Sequence, residues 1–250
     1  MKAVPIPSPK CNMSNEYIAF YTNTNKTSAW AHRVEIAFIE AGVEPEVGII
    51  SLQDKPEWFT SVVNPMTKQV PAIVYGGPRV PADQPSQESV KLTESNVLLE
   101  FLADIYPEAG LLPKDSVQRA KARFFIEKSN STLKPAWGAY QWLKGSKDAF
   151  IAGLEAVQSL LPESGFAVGE WSIAEASIAP ILGRAEATLR ADTGAWAAGE
   201  GPVTYKEVFE GERFARIVQY WRDIQARDSW KKTFNEAGYI EIMKKRFARS

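Results

Sequence analysis

Ser28 has the clearest chemical setting in the chain. It follows Tyr17-Ile18-Ala19-Phe20-Tyr21, a run rich in β-branched and aromatic residues that reads as a strand, and a loop of turn formers over 22–27. From Ala29 the apolar residues Trp30, Val34, Ala37, Phe38 and Ala41 recur at helical spacing, and Gly42 stands where a C-terminal cap belongs. A strand feeding a helix aims the helix's free N–H groups at the end of a sheet, a natural seat for an anion. Ser28 at that start has two readings. It is an N-cap, or its hydroxyl donates to a thiolate or carboxylate held at the helix end. The two are compatible, and this window leaves both open.

Other short stretches carry weaker chemical signals. In Gln69-Val70-Pro71-Ala72-Ile73-Val74-Tyr75 a proline near the start of a strand marks a strand end and raises the option of a cis peptide. Ser95, preceded by Glu94, caps a helix whose apolar face is Val97, Leu98, Phe101, Leu102 and Ile105 and which Pro107 stops. Both residues also fit an ordinary cap with a favourable acidic neighbour. Lys55 by itself reads as a solvated surface lysine.

The elements that position these residues follow from the rest of the chain. Glu46 to Ser51 reads as a strand. Asp54-Lys55-Pro56-Glu57-Trp58-Phe59 opens a short helix with proline in its first turn, and Asn64-Pro65 ends it. Gly76-Gly77-Pro78 breaks the next strand, a polar loop runs to Ser89, and Val90-Lys91-Leu92 is a short final strand. The order β-α-β-α-β-β-α predicts a mixed four-stranded sheet flanked by helices. Beyond Leu111-Leu112-Pro113 the pattern is helical. A long helix is expected over 116–143, interrupted at Pro135, and another over 147–161. Ser172-Ile173-Ala174-Glu175 is a capping box ahead of an apolar run, 191–205 is a connection, and 207–227 and 229–247 are again helical. The expected division is an N-terminal arm over 1–16, an α/β domain over 17–109 and an all-α domain over 115–250.

Composition narrows the function classes. Of the 250 residues 45% are hydrophobic and 24% charged, which suits a globular protein, and the net charge of −1 gives no general electrostatic case for nucleic acid or an anionic membrane. No apolar run approaches the roughly 18 residues that a membrane helix needs. The stretch from Met1 to Asn15 is polar and is expected to be a loose arm rather than a signal peptide. The single cysteine, Cys11, lies in that arm and reads as incidental, and a reducing, cytoplasmic setting fits its solitude. One histidine and one cysteine leave almost nothing for a transition-metal site, so no metal is expected.

The order of elements, with Val-Pro before the third strand and an all-α second half, resembles the soluble glutathione transferases from about Tyr17 to the C-terminus. Ser28-Ala29-Trp30-Ala31-His32-Arg33-Val34 is similar to the omega-class pattern Cys-Pro-aromatic-Ala-x-Arg. Asp54 to Phe59, then Asn64-Pro65 and Val70-Pro71, match that class in order and nearly in spacing, and Glu94-Ser95 is the third motif. Serine replaces the class's cysteine and Ala29 its proline, the turn before Ser28 is longer, and the long loop after Tyr75 looks like a feature of fungal omega-like members.

The resemblance implies a thioredoxin-like N-terminal domain with glutathione as co-substrate. Val70 would offer its backbone N–H and C=O to the cysteinyl part, with Pro71 cis. Glu94 would take the γ-glutamyl amine, Ser95 its carboxylate and Lys55 the glycine carboxylate. Ser28 would hydrogen-bond the sulfur. Trp30, Phe124, Trp137 and Tyr140 would wall a cleft for small aromatic or phenolic electrophiles. Trp58 is expected in the core, His32 exposed on its helix, Arg33 structural and the protein a homodimer. Three readings of function remain open: transferase, carrier of aromatic ligands, and scaffold without chemistry; the related glutathione-dependent aryl-ether lyases are a further alternative.

Overall fold

The computed structural model describes residues 17–248; the expected arm and Cys11 lie outside the described residues. Strands β1 (Ile18–Asn23), β2 (Glu46–Ile50), β3 (Ala72–Tyr75) and β4 (Val90–Thr93) form one mixed sheet in the order β2-β1-β3-β4. β1 runs parallel to β2 and antiparallel to β3, and β3 is antiparallel to β4. Helix α1 (Ala29–Ala41) makes the crossover between β1 and β2. Where a second α-helix was expected, a turn beginning at Glu57 passes into a π-helical segment, Phe59–Val63. Helix α2 (Ser95–Ile105) follows β4. This is the thioredoxin-like arrangement.

The remainder is helical: α3 (Ser116–Ser131), α4 (Leu133–Leu143), α5 (Lys147–Gln158), α6 (Ile173–Arg190), α7 (Glu200–Tyr205), α8 (Ala215–Gln225), α9 (Asp228–Thr233) and α10 (Glu236–Arg246). Three expectations are corrected here. The break in the long pattern falls at Thr132, not Pro135; the proline occupies the first turn of α4, where a missing N–H leaves no bond unmade. The stretch 191–205 is partly helical, because α7 starts at Glu200. The pattern over 207–227 divides into a π-helical turn (Lys206–Glu210), a 3-10 turn (Glu212–Phe214) and α8.

Side-chain alternation in the sheet makes two cores. Ile18 and Phe20 of β1 and Ile73 of β3 face α1, α2 and α6 and join the large core that continues through the helical half. Tyr17, Ala19 and Tyr21, with Ala72 and Val74, point the other way onto Ile50, Phe59 and Val63, and Trp58 packs partly against this smaller core. The long loop over 76–89 covers that second face. Tyr17 Oη donates to the Val80 carbonyl and Tyr21 Oη to the Ala82 carbonyl, both at 2.7 Å. Gly48 lies opposite Tyr21 in the β1–β2 register, and a Cβ there would stand 2.5 Å from the tyrosine ring, so only glycine leaves room for it.

The centre of the helical half is α6. Its capping box is formed: Ser172 Oγ accepts from the Ala174 N–H at 3.2 Å and Glu175 Oε2 from the Ser172 N–H at 2.8 Å. Glu175 also accepts from Ala167 N and from Tyr220 Oη, while its burial pushes the carboxyl pKa up. Every residue of α6 from Ile173 to Leu189 is buried, including the one cation in that stretch, Arg184. No helix among the described residues is long and apolar enough to cross a membrane.

Candidate active site

The strand register collects the sequence motifs at one end of the sheet. Ala72 pairs with Tyr21 on one side and with Thr93 on the other. Val70-Pro71 therefore enters the sheet where Glu94-Ser95 leaves it, next to the loop that carries Ser28. The Val70–Pro71 peptide is cis.

That loop is tied from both sides. Asn23, at the end of β1, donates from Nδ2 to Thr27 Oγ1 at 2.9 Å and accepts the Ser28 N–H at Oδ1, 3.0 Å away. From the helical half, Arg184 donates from Nε to the Thr27 carbonyl at 3.2 Å and from Nη2 to the Thr27 and Lys26 carbonyls at 3.1 and 3.4 Å. Ser28 caps α1, its Oγ accepting the Ala31 N–H at 3.2 Å. Capping uses a lone pair of the oxygen and leaves the hydroxyl proton to be donated, so the cap does not exclude a donor role.

Ser28 opens onto a cleft of about 490 Å³ between the sheet's end and the helical half. Lys55 and Val70 line it on the sheet side, Trp30 from α1, Trp137 from α4, and Tyr239 and Met243 from α10. Arg33 and Lys134 each place a cation over the Trp30 ring, 4.7 and 4.9 Å from its centre. Pro71, Glu94 and Ser95 do not contribute to this cleft wall. Glu94 is exposed beside it with φ +71°, a backbone conformation that costs a side-chain-bearing residue about 1–3 kcal/mol. Ser95 Oγ accepts from Arg33 Nη1 at 3.2 Å.

Arg33 has the structural role expected of it. Buried between the sheet's end and the helical half, it donates to Ser95, Asn96, Asn130 and the Ser177 carbonyl. Burial lowers its pKa to about 9, which leaves it charged at neutral pH.

Three side chains stand elsewhere than the sequence suggested. Phe124 is 53% exposed on α3, beside Lys128 and away from the cleft. Tyr140 is 1% exposed; its hydroxyl bonds Glu200 and Thr204 and its ring packs on Phe150 and Trp196. Lys134, Gly138 and Trp142 form the cleft-facing stripe of α4, four residues apart, and Tyr140 lies about 200° round the helix from Gly138. His32 is not exposed but 2% accessible, packed on Trp230 and Phe234. Its Nδ1 accepts from Arg184 Nη1 at 3.1 Å, since a guanidinium only donates. Nε2 therefore carries the proton and donates to Thr233 Oγ1 at 2.7 Å, which in turn donates to the Ser229 carbonyl at 2.6 Å. Burial first, then the charges of Arg184 and Lys26, hold the imidazole pKa well below its usual value.

Sequence reading missed Asn23, Lys134, Trp142, Arg184, Tyr239 and Arg246 at this site. Arg184 left a signal, being a lone cation within the apolar run of α6. Residues 27–105 match the family model of the glutathione S-transferase N-terminal domain. Glutathione transferase Omega 1C from Trametes versicolor has a solved structure 47% identical to this chain, covering 93% of this chain and 97% of its own, with a TM-score of 0.89.

This chain belongs to the glutathione transferase family. Within it, this glutathione transferase is of the omega type. Omega 2S from the same fungus, solved in complex with 2,4-dihydroxybenzophenone, is 45% identical over 93% of this chain and 100% of its own, with a TM-score of 0.86. A more distant relative is a probable maleylacetoacetate isomerase of Caenorhabditis elegans, 29% identical over 68% of this chain and 79% of the relative. Glutathione is the co-substrate that fits the family. Ser28 at a helix start, Val70 and Lys55 line one cleft of this transferase.

Proposed function

We propose that this transferase binds glutathione along Lys55, Val70, Glu94 and Ser95, and that Ser28 donates a hydrogen bond to the glutathione sulfur. The observation that supports this reading is the geometry of Ser28: it caps α1 through its oxygen, which leaves its hydroxyl able to donate, and it lines the cleft shared with Lys55 and Val70. Pro71 orients the edge at Val70, Glu94 takes the γ-glutamyl amine, and the start of α2 at Ser95 takes its carboxylate. A free thiol has a pKa of about 8.5, and each unit of lowering corresponds to about 1.4 kcal/mol. One hydroxyl donor to a charged acceptor supplies roughly 1.5–3 kcal/mol and a helix start about 0.3–1. Together they lower the thiol pKa by roughly one to three units, enough for a thiolate near neutral pH.

The thiolate then attacks an activated aromatic carbon of an electrophile held by Trp30 and Trp137. The carbon–sulfur bond forms, the carbon–halide or equivalent bond breaks, and the leaving group departs with its electron pair. A hydroxyl forms no disulfide, so this chemistry differs from thiol transfer by a cysteine. Turnover of a chromogenic aryl halide tests the proposal: Ser28→Ala should lower kcat/KM about tenfold or more. Unchanged turnover would return Ser28 to the role of a cap.

A second reading, storage or carriage of aromatic compounds, is favoured by two observations. Trp30, Trp137 and Trp142 all line the cleft, and the Omega 2S relative was solved with a dihydroxybenzophenone. Tight ligand binding with no Ser28-dependent turnover would select it.

A further inference from the structure

The cleft has a charge composition unlike that of the chain. Lysine and arginine number 29 and aspartate and glutamate 30 in the whole sequence, but among the described residues the cleft is lined by Lys55, Lys134, Arg184 and Arg246 and by no carboxylate. Two of these cations already have work. Arg184 is spent on the Thr27 and Lys26 carbonyls and His32, and Lys55 lies beside Val70 where the glycine carboxylate of glutathione is placed.

Lys134 and Arg246 remain. Lys134 sits in the first turn of α4 with its ammonium 4.9 Å from the centre of the Trp30 ring. Arg246 ends α10 with its guanidinium 4.8 Å from the centre of the Trp142 ring. Neither has a carboxylate partner among the described residues, whereas Arg190, Arg222 and Arg227 on the neighbouring helices each have one. A rim lysine in water is ordinary by itself. Two cations beside tryptophan rings, in a cleft to which no described residue brings an opposing charge, concentrate a positive potential where a flat ring would bind.

We propose that the second ligand of this cleft is an aromatic anion, a flat ring carrying a carboxylate or ionised phenol, with the ring against Trp30 and Trp137 and the anionic oxygen met by Lys134 and Arg246. This rests on reading the cleft as the site of the second substrate and adds the charge of that substrate. Neutral aromatics gain the ring contacts alone; the anion gains charge-assisted hydrogen bonds as well.

The test compares naphthalene-2-carboxylate with 2-naphthalenemethanol, its near-isosteric neutral partner, by calorimetry with and without saturating glutathione. The carboxylate should bind wild-type protein about tenfold or more tightly than the alcohol, and the preference should shrink as salt is raised. Lys134→Gln and Arg246→Gln should each weaken carboxylate binding several-fold, and together remove the preference while alcohol binding stays. Lys134→Arg should restore it. Equal affinity for the two probes in the wild type, or a preference that survives in the double variant, overturns the proposal. A separate titration with glutathione keeps the two readings apart: no glutathione binding refutes the proposed transferase, while the comparison made without glutathione still decides the charge of the second ligand.

Discussion

Arg184 Nε donates to the carbonyl oxygen of Thr27 at 3.2 Å, and Thr27 is the residue immediately before Ser28. A guanidinium rooted in the helical half thus holds the loop that presents the serine hydroxyl, and the same group meets His32 and lies 5.1 Å from the Tyr239 ring centre. Arg184 is a positioning residue for Ser28. Lysine has one donor centre and cannot reproduce the fork. Arg184→Lys is therefore expected to lower kcat/KM about 10- to 150-fold, the equivalent of losing about 1.5–3 kcal/mol of charge-assisted hydrogen bonding. It should also move the thiolate limb of the pH–rate profile upward. A lower melting temperature with an unmoved profile would mean that Arg184 serves stability alone.

Glu94 combines an exposed carboxylate with φ +71°. Glu94→Ala should weaken glutathione binding by about 1.5–3 kcal/mol through loss of a charge-assisted bond. Glu94→Gly should weaken it equally but relieve the backbone, raising stability by about 1 kcal/mol. Calorimetry and thermal melting read the two effects separately, and full glutathione affinity in both variants would remove Glu94 from the site.

Ser28→Cys should change the chemistry. A thiol at a helix start ionises more readily, and its thiolate attacks oxidised glutathione, expelling one glutathione thiolate and keeping the other as a mixed disulfide. Conjugation should fall in the same variant, because a thiol is a weaker donor than a hydroxyl. Intact-mass measurement in a Cys11→Ala background reads the adduct directly. An unfolded control that is modified while the folded variant is not would show that residue 28 does not face the sulfur. The wild type should have little disulfide-exchange activity, and robust exchange abolished by Cys11→Ala would relocate the nucleophile.

His32 sets an acid limit on stability. Its folded pKa is depressed, by burial first and then by Arg184 and Lys26, so between that value and about 6.5 the unfolded chain binds a proton that the folded one does not. The stability from this site is fully present above about pH 6.5 and is lost below it, by up to about 1.4 kcal/mol per pH unit. Glu35 and Glu175, whose pKa values burial raises, act with the opposite sign, favouring the fold as pH falls. His32→Gln isolates the imidazole: the wild-type minus variant stability should decline from pH 7 to 5. A flat difference would show that His32 is not held neutral.

Local patterns in the sequence revealed the elements and left much of the site obscure. The run of β-branched and aromatic residues marked β1, the capping box marked α6, and Val70-Pro71 marked the entry to β3, because each is set by neighbours a few residues away. The environment of His32 depends on Arg184 and Thr233, 152 and 201 positions distant, and no window around it contains that information. Tyr140 and Trp137 are three apart on one helix, and only the packing of α4 against its neighbours decides which meets the cleft. Lys134 and Arg246 look like any surface cations until α4 and α10 are brought to the same cleft.

The large core binds the two halves of the molecule into one body: Ile18, Phe20 and Ile73 of the sheet share it with Ile178 and Leu182 of α6 and Trp221 of α8. During synthesis the sheet, α1 and α2 are complete about residue 105, but the face of α1 and α2 that packs on α6 has no cover until that helix follows. At about 5–20 residues per second that wait is on the order of ten seconds. For that interval the nascent N-terminal half is a sticky, half-clad intermediate that a ribosome-bound chaperone would shelter.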